Sequence, residues 1–292
     1  MGTHRWTLWA LLALSILAAA CGEKSSDAAP SVAGDLAGDG EVVATSLLVT
    51  ATDHHFTLSL STVAEGVVPI ELVNDGEWPH QVLVARLADG QTVDDYLAAF
   101  EGGEVAAEEL ISHAGGVNIV DPGTSGVGYA DLAAGTYVVL CFIPGEEGES
   151  HLMQGMIAEL TVVADEAVPA PSDPVGEISL ADFGFGLPAG GLREPGTYRV
   201  TNDGAQTHEM AIMRIDEGAA LGDVVAYLQG GFTGASPVTF TGGAGGIEAG
   251  AEGYIDLDLE AGTYLAMCFL TDEASGKRHV ELGMLSQFTV GG

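Results

Sequence analysis

The stretch Gly135-Thr-Tyr-Val-Val-Leu-Cys141-Phe-Ile-Pro-Gly-Glu-Glu-Gly-Glu-Ser-His151-Leu-Met-Gln-Gly-Met156 decides how this chain is read. It begins as an apolar strand and then sets a thiol, an imidazole and a thioether into a loop otherwise made of turn formers and acids. The order recurs downstream. Gly262-Thr-Tyr-Leu-Ala-Met-Cys268 leads to His279 and Met284, with one more residue between Cys and His. Upstream of each, Asn74-Asp-Gly-Glu-Trp-Pro-His80 matches Asn202-Asp-Gly-Ala-Gln-Thr-His208. All these matched residues lie 127 or 128 positions apart. That is the mark of a duplicated domain, not of a short solenoid repeat.

Within each copy, short apolar or alternating runs are separated by Gly, Pro, Asn and Asp clusters. Pro69-Ile-Glu-Leu-Val, Gln81-Val-Leu-Val-Ala, Thr136-Tyr-Val-Val-Leu and Ile157-Ala-Glu-Leu-Thr-Val-Val read as strands. One segment per copy has helical spacing instead: Thr92-Val-Asp-Asp-Tyr-Leu-Ala-Ala-Phe with its Thr cap, and Leu221-Gly-Asp-Val-Val-Ala-Tyr-Leu. The expectation is an all-β protein of two tandem β-sandwiches, each of about seven or eight strands with one short inserted helix. The domains are expected at 47–164 and 175–292, joined by the Pro-rich linker 165–174.

The N-terminus is of another kind. His4 and Arg5 precede an apolar run from Trp6 to Ala20, shorter than a bilayer span and suited to an export signal. Leu17-Ala-Ala-Ala-Cys21 resembles the lipobox of bacterial lipoproteins, which implies a signal peptide over 1–21, lipid on Cys21 and anchoring to the outer face of the membrane. An ordinary cleaved secretory signal is the alternative. Residues 22–46, small and polar, read as a flexible tether. The remainder carries much of a strong negative charge: 8 Lys+Arg stand against 42 Asp+Glu, a formal net charge of -34. Nucleic acid is thereby a poor partner, and a protein with a basic face a better one.

An exported chain has to account for its thiols, because unpaired cysteines oxidise outside the cytoplasm. With Cys21 set aside, only Cys141 and Cys268 are left. A disulfide between the halves would explain two cysteines, but not the His and Met that accompany each. A thiolate, two imidazoles and a weak thioether are the donors of a mononuclear type 1 copper site: soft sulfur suits Cu(I), the nitrogens serve both oxidation states, and the axial sulfur tunes the potential. Here the chain resembles the cupredoxin family, the plastocyanin-like type 1 blue copper domains with a Greek-key β-sandwich. The Val-Asn-Asp-Gly stretch ending at His80 is similar to that family's first-histidine segment, and Gly-Thr-Tyr-x-x-x-Cys with His-x4-Met to its ligand loop. The resemblance implies ligands His80, Cys141, His151 and Met156 in the first copy. In the second it implies His208, Cys268, His279 and Met284, hence up to two coppers. The Cys-to-His loops are longer than in small carriers of this family, and Gln81, Glu209, Phe142 and Phe269 stand where those carriers often have polar anchors. Outer support of the ligands is therefore not evident from the sequence.

Single-electron transfer is the expected function. A copper enzyme of this kind is normally wired through a histidine beside the cysteine, and Leu140 and Met267 precede the two cysteines here. Outside the signal segment, the three histidines not assigned as ligands, His54, His55 and His113, all fall in the first copy and read as surface residues with accessory metal binding as the alternative. Met210 and Met213 read as core. A copper-free binding or scaffold lipoprotein, and copper sequestration or delivery, are the competing functions.

Overall fold

The computed structural model describes residues 43–145, 148–272 and 274–291. The signal segment, Cys21 and nearly all of the tether lie outside the described residues. Where the tether ends, Ala44 bridges to Val63. The fold is all-β, as the sequence predicts. The N-terminal half contains β1 (Leu47–Thr52), β2 (His55–Leu58), β3 (Thr62–Asn74), β4 (His80–Leu87), β5 (Ile111–Val120), β6 (Ser125–Leu132), β7 (Gly135–Leu140) and β8 (Ile157–Val168). The C-terminal half repeats them as β9 (Gly176–Ala181), β10 (Gly184–Gly186), β11 (Gly196–Asn202), β12 (His208–Ile215), β13 (Val238–Ile247), β14 (Glu252–Leu257), β15 (Gly262–Met267) and β16 (Leu285–Val290). Strand β8 continues to Val168, through residues that the sequence assigned to the linker.

Each half stacks two layers. Strands β2-β1-β3-β6 form one layer of the first half and β5-β4-β7-β8 the other; β10-β9-β11-β14 and β13-β12-β15-β16 do the same in the second. Alternation explains the burial: in β3 the side chains of Val68, Ile70 and Leu72 point into the core while Glu71 between them is exposed. Helix α1 (Val93–Gly102) starts at Thr92, whose hydroxyl accepts from the Asp95 N–H while Asp95 accepts from the Thr92 N–H, a reciprocal cap. A second short helix, α2 (Glu104–Glu108), follows it, one more than the sequence predicts. Among the described residues the C-terminal half has one α-helix, α3 (Leu221–Gln229), and a single 3-10 turn at His279–Leu282. Among the described residues no helix is long and apolar enough to cross a membrane.

The repeated Gly-Thr-Tyr motif has a structural cause. The hydroxyls of Tyr137 and Tyr264 donate to the carbonyls four residues back, Ala133 and Glu260, at 3.0 and 2.9 Å. Tyr198, in a third Gly-Thr-Tyr, does the same to Glu194 at 2.8 Å. Each ring is buried while its hydroxyl closes the turn before its strand.

The halves join edge to edge through an antiparallel pairing of β5 with β13, in which Val120, Val117 and Ala114 face Thr241, Ala244 and Ile247. Strand β6 pairs with β14 at Gly128 and Ile255. Val117 and Ala244 are equivalent positions of the duplication, as are Gly128 and Ile255, so a local twofold axis relates the halves. Glycine makes this approach feasible. A Cβ on Gly245 would lie 2.5 Å from the Gly115 carbonyl oxygen of the other half. Gly245→Val is accordingly expected to cost about 1–3 kcal/mol through overpacking, seen as a lowered urea midpoint; an unchanged midpoint would contradict this account of the interface.

Candidate metal centres

Each half brings its two predicted histidines and its cysteine together. His80 begins β4, and Cys141 directly follows β7, the neighbour of β4 in the same layer. The loop after Cys141 folds into a small hairpin, with Pro144 bridged to Ser150, and returns His151 to the sulfur. The His151 N–H donates to the Ile143 carbonyl at 2.8 Å, and the Met156 N–H to the His151 carbonyl at 2.9 Å. The second loop absorbs its additional residue in the equivalent hairpin, bridged at Thr271 and Arg278, and His279 and Met284 repeat both backbone bonds.

The donor atoms converge. In the first half Cys141 Sγ lies 3.9 Å from His80 Nδ1 and 3.6 Å from His151 Nδ1. In the second, Cys268 Sγ is 3.3 Å from His279 Nδ1, and His208 Nδ1 is 3.1 Å from His279 Nδ1. All six residues are fully buried, and so are Met156 and Met284, packed in the same core clusters as Cys141 and Cys268 respectively. Both cysteines are free thiols, and no disulfide joins the halves.

The donor set fits a metal. Bonds of roughly 2.3 Å to sulfur and 2.0 Å to nitrogen, opened to trigonal angles, separate S and N by roughly 3.7 Å. The first site is close to that spacing, whereas the second is drawn tighter, its two imidazoles at hydrogen-bond distance from each other. Two backbone N–H groups are directed at each sulfur, those of Gln81 and Ile143 at Cys141 and those of Glu209 and Leu270 at Cys268. Such donors suit a thiolate. Without a metal, burial pushes the Cys141 thiol up to about 12 and the Cys268 thiol up as well. Burial also lowers His151 to about 4, helped by the neighbouring His80 and His54, so its imidazole is neutral and its nitrogen free to coordinate at physiological pH.

Outer support exists, and the sequence reading missed its carriers. His80 Nε2 faces Asp53 Oδ1 at 3.4 Å and His208 Nε2 faces Asp182 Oδ1 at 2.6 Å, which leaves both Nδ1 atoms toward the sulfurs. Asp53 also accepts from the Glu77 and Trp78 N–H groups, and Asp182 from that of Ala205. Asn74 ties the Trp78 and Val120 carbonyls together at 2.8 and 3.0 Å, as Asn202 ties those of Gln206 and Ile247. A Cβ on Gly76 would meet Asp53 and His80, and one on Gly204 would meet Asp182 and His208, so the glycine leaves room for the Asp–His contact. The Asn-Asp-Gly motif was the signal that could have found this support. Asp53 and Asp182 sit on turns well apart in sequence from the histidines they face.

Of the remaining histidines, His55 is exposed, as expected. His113 is not: the surface reading is corrected, because it lies on the interface strand β5 at 8% exposure. Its Nε2 meets Glu108 at 2.9 Å and its N–H donates to Glu248 of the other half. Met210 and Met213 are core residues, as read. Glu209, next to His208, crosses the interface. It accepts from Asn118 Nδ2 and from the Phe269 N–H, both at 3.0 Å.

No family model matches the chain, and no curated protein matches it. Solved structures similar to it include an auracyanin from Roseiflexus castenholzii, 19% identical over 42% of this chain and 99% of that one, TM-score 0.30. A multicopper oxidase is 13% identical over 84% of this chain and 88% of its own, TM-score 0.23. A copper nitrite reductase from Nitrosomonas europaea is 15% identical over 84% and 93%, TM-score 0.23. What the site can do rests on its own donors.

These groups predict how the metal-free protein responds to pH. His151 is harder to protonate folded than unfolded, so its contribution to stability is complete above about pH 6.5 and lost as pH falls toward 4. Cys141 is harder to ionise folded, so its contribution is complete below about pH 9 and lost as pH rises toward 12. Thermal midpoints of metal-free protein should show a shallower acid limb in His151→Gln and a shallower alkaline limb in Cys141→Ala; unchanged limbs would contradict the assignment.

Proposed function

We propose that this chain is a two-site type 1 copper protein of the cupredoxin kind, carrying single electrons outside the cytoplasm. Its two domains, 47–164 and 175–292, would each hold one copper, through His80, Cys141, His151 and Met156 and through His208, Cys268, His279 and Met284. One observation carries this reading: each half buries one free thiol within 4.8 Å of two imidazole nitrogens, and does so twice in the same order. Bound copper would supply reversible one-electron chemistry, with the methionine sulfur as the soft donor that tunes its potential. The protein's part is to keep the donors in place and dry. Asp53 and Asp182 hold the first histidine's ring, the backbone amides face the thiolate, and full burial of the ligands keeps water from the site.

A carrier suits these centres better than an enzyme. Leu140 and Met267, before the cysteines, and Phe142 and Phe269, after them, offer no imidazole to wire a second metal, and the ligand sets are fully buried. The acidic surface suits a redox partner with a basic face and disfavours nucleic acid. Lipid on Cys21 would tether the protein to the membrane.

Two measurements test the proposal. Cu(II) added to metal-free protein should give an intense visible thiolate-to-copper band, up to two equivalents, which a one-electron reductant bleaches; Cys141→Ala and Cys268→Ala should each remove one equivalent. No band at saturating copper, with both thiols intact, would favour a copper-free binding lipoprotein. The wild-type protein should fractionate with membranes and Cys21→Ser should not; an unacylated, soluble wild type would refute the anchor.

A further inference from the structure

His151 and His279 are fully buried, and the Nε2 of each is enclosed with no hydrogen-bond partner among the described residues. What encloses them differs between the halves. Over His151 stands the ring of His54, edge-on with centroids 5.6 Å apart. Over His279 stands Phe183, at 5.0 Å and also edge-on. The two covers are structural equivalents. Each follows the aspartate that orients the first histidine, Asp53 or Asp182, on the turn between the first two strands of its half.

The chemistry of the covers is opposite. His54 is exposed, held on its turn at φ +64, and the next residue, His55, is exposed too. Asp53-His54-His55 thus puts two exposed imidazoles in succession on the turn that covers the first site, directly after the carboxylate that faces His80. Asp182-Phe183-Gly184 offers the second site a carboxylate and no nitrogen donor.

A copper ion faces a barrier at such a site. It arrives as a hydrated ion, and every assigned ligand lies beneath the surface. Crossing bare would forfeit the hydration energy before any new bond forms. An exposed imidazole in contact with a buried ligand removes that barrier, because the ion exchanges water for His54 nitrogen and then His54 for His151. We propose that His54, with His55, is a copper-capture site that passes the ion inward to His151 and Cys141, and that Phe183 leaves the second site without this route. The inference rests on the copper reading above and adds an order of filling to it. No electron moves during loading: the copper–sulfur bond replaces the S–H bond of Cys141, and the proton leaves to water.

The test is stopped-flow mixing of metal-free full-length protein with Cu(II), following growth of the visible thiolate-to-copper band. Cys268→Ser isolates the first site and Cys141→Ser the second. The first should fill about tenfold faster, at the lower end of what outer residues contribute at metal sites. His54→Phe should slow the first site to the rate of the second without changing its final band, and Phe183→His should speed the second. Equal rates for the two sites, or rates untouched by both exchanges, would overturn the proposal. If His54→Phe fails to fold, Phe183→His decides alone. A missing band at both sites would instead refute the copper reading, and with it the loading route.

Discussion

The constraint on which this structure turns is the complete burial of two clusters that each hold one thiol and two imidazoles. Polar groups taken out of water without partners are costly, of the order of 1–3 kcal/mol each. The surrounding architecture answers that cost atom by atom. The far nitrogen of the first histidine is met by Asp53 or Asp182, the sulfur by two backbone amides, and the turn before the histidine is latched by Asn74 or Asn202. What stays unmatched is Nε2 of the second histidine in each half, closed off by a ring instead of a partner.

The same logic operates where the halves meet. Strands β5 and β13 lie backbone against backbone, and an acid at the end of each reaches over to the other half. Glu248 accepts the His113 N–H at 2.8 Å, and Asp121 accepts the Phe240 N–H at 3.0 Å, which are equivalent contacts about the local twofold axis. Burial pushes Asp121 up to about 6 against the pull of that N–H. The axis is broken at Asn118, whose equivalent is Gly245. Asn118 Nδ2 donates across the interface to Glu209 and to the Ala244 carbonyl, and the first of these bonds links the interface to the residue beside His208. The two clusters thus belong to one packed unit, whose centre is a glycine-lined strand pair.

Duplication does not make the two clusters equal. The first holds its sulfur and nitrogens at spacings that accommodate a metal, and an exposed imidazole covers it. The second has its imidazoles in mutual contact beneath a phenyl ring.

Much of this was legible in the sequence because it is written locally. The alternation in β3, the Thr92 cap and the recurrence of Gly-Thr-Tyr-x-x-x-Cys with its His and Met each lie within a short run, where period and residue chemistry suffice. Cys141, His80 and His151 could be grouped because the order repeats, and repetition substitutes for distance. What the sequence could not show is what approaches from elsewhere in the chain. Asp53 is an ordinary acid until its turn closes on His80. His113 has the composition of a surface residue until β13 covers β5, and His54 has no assigned place until the ligand loop brings His151 beneath it. Those contacts depend on how sheets stack and how the halves pair, and that was decided by burial across the whole fold and by glycines that let two backbones meet.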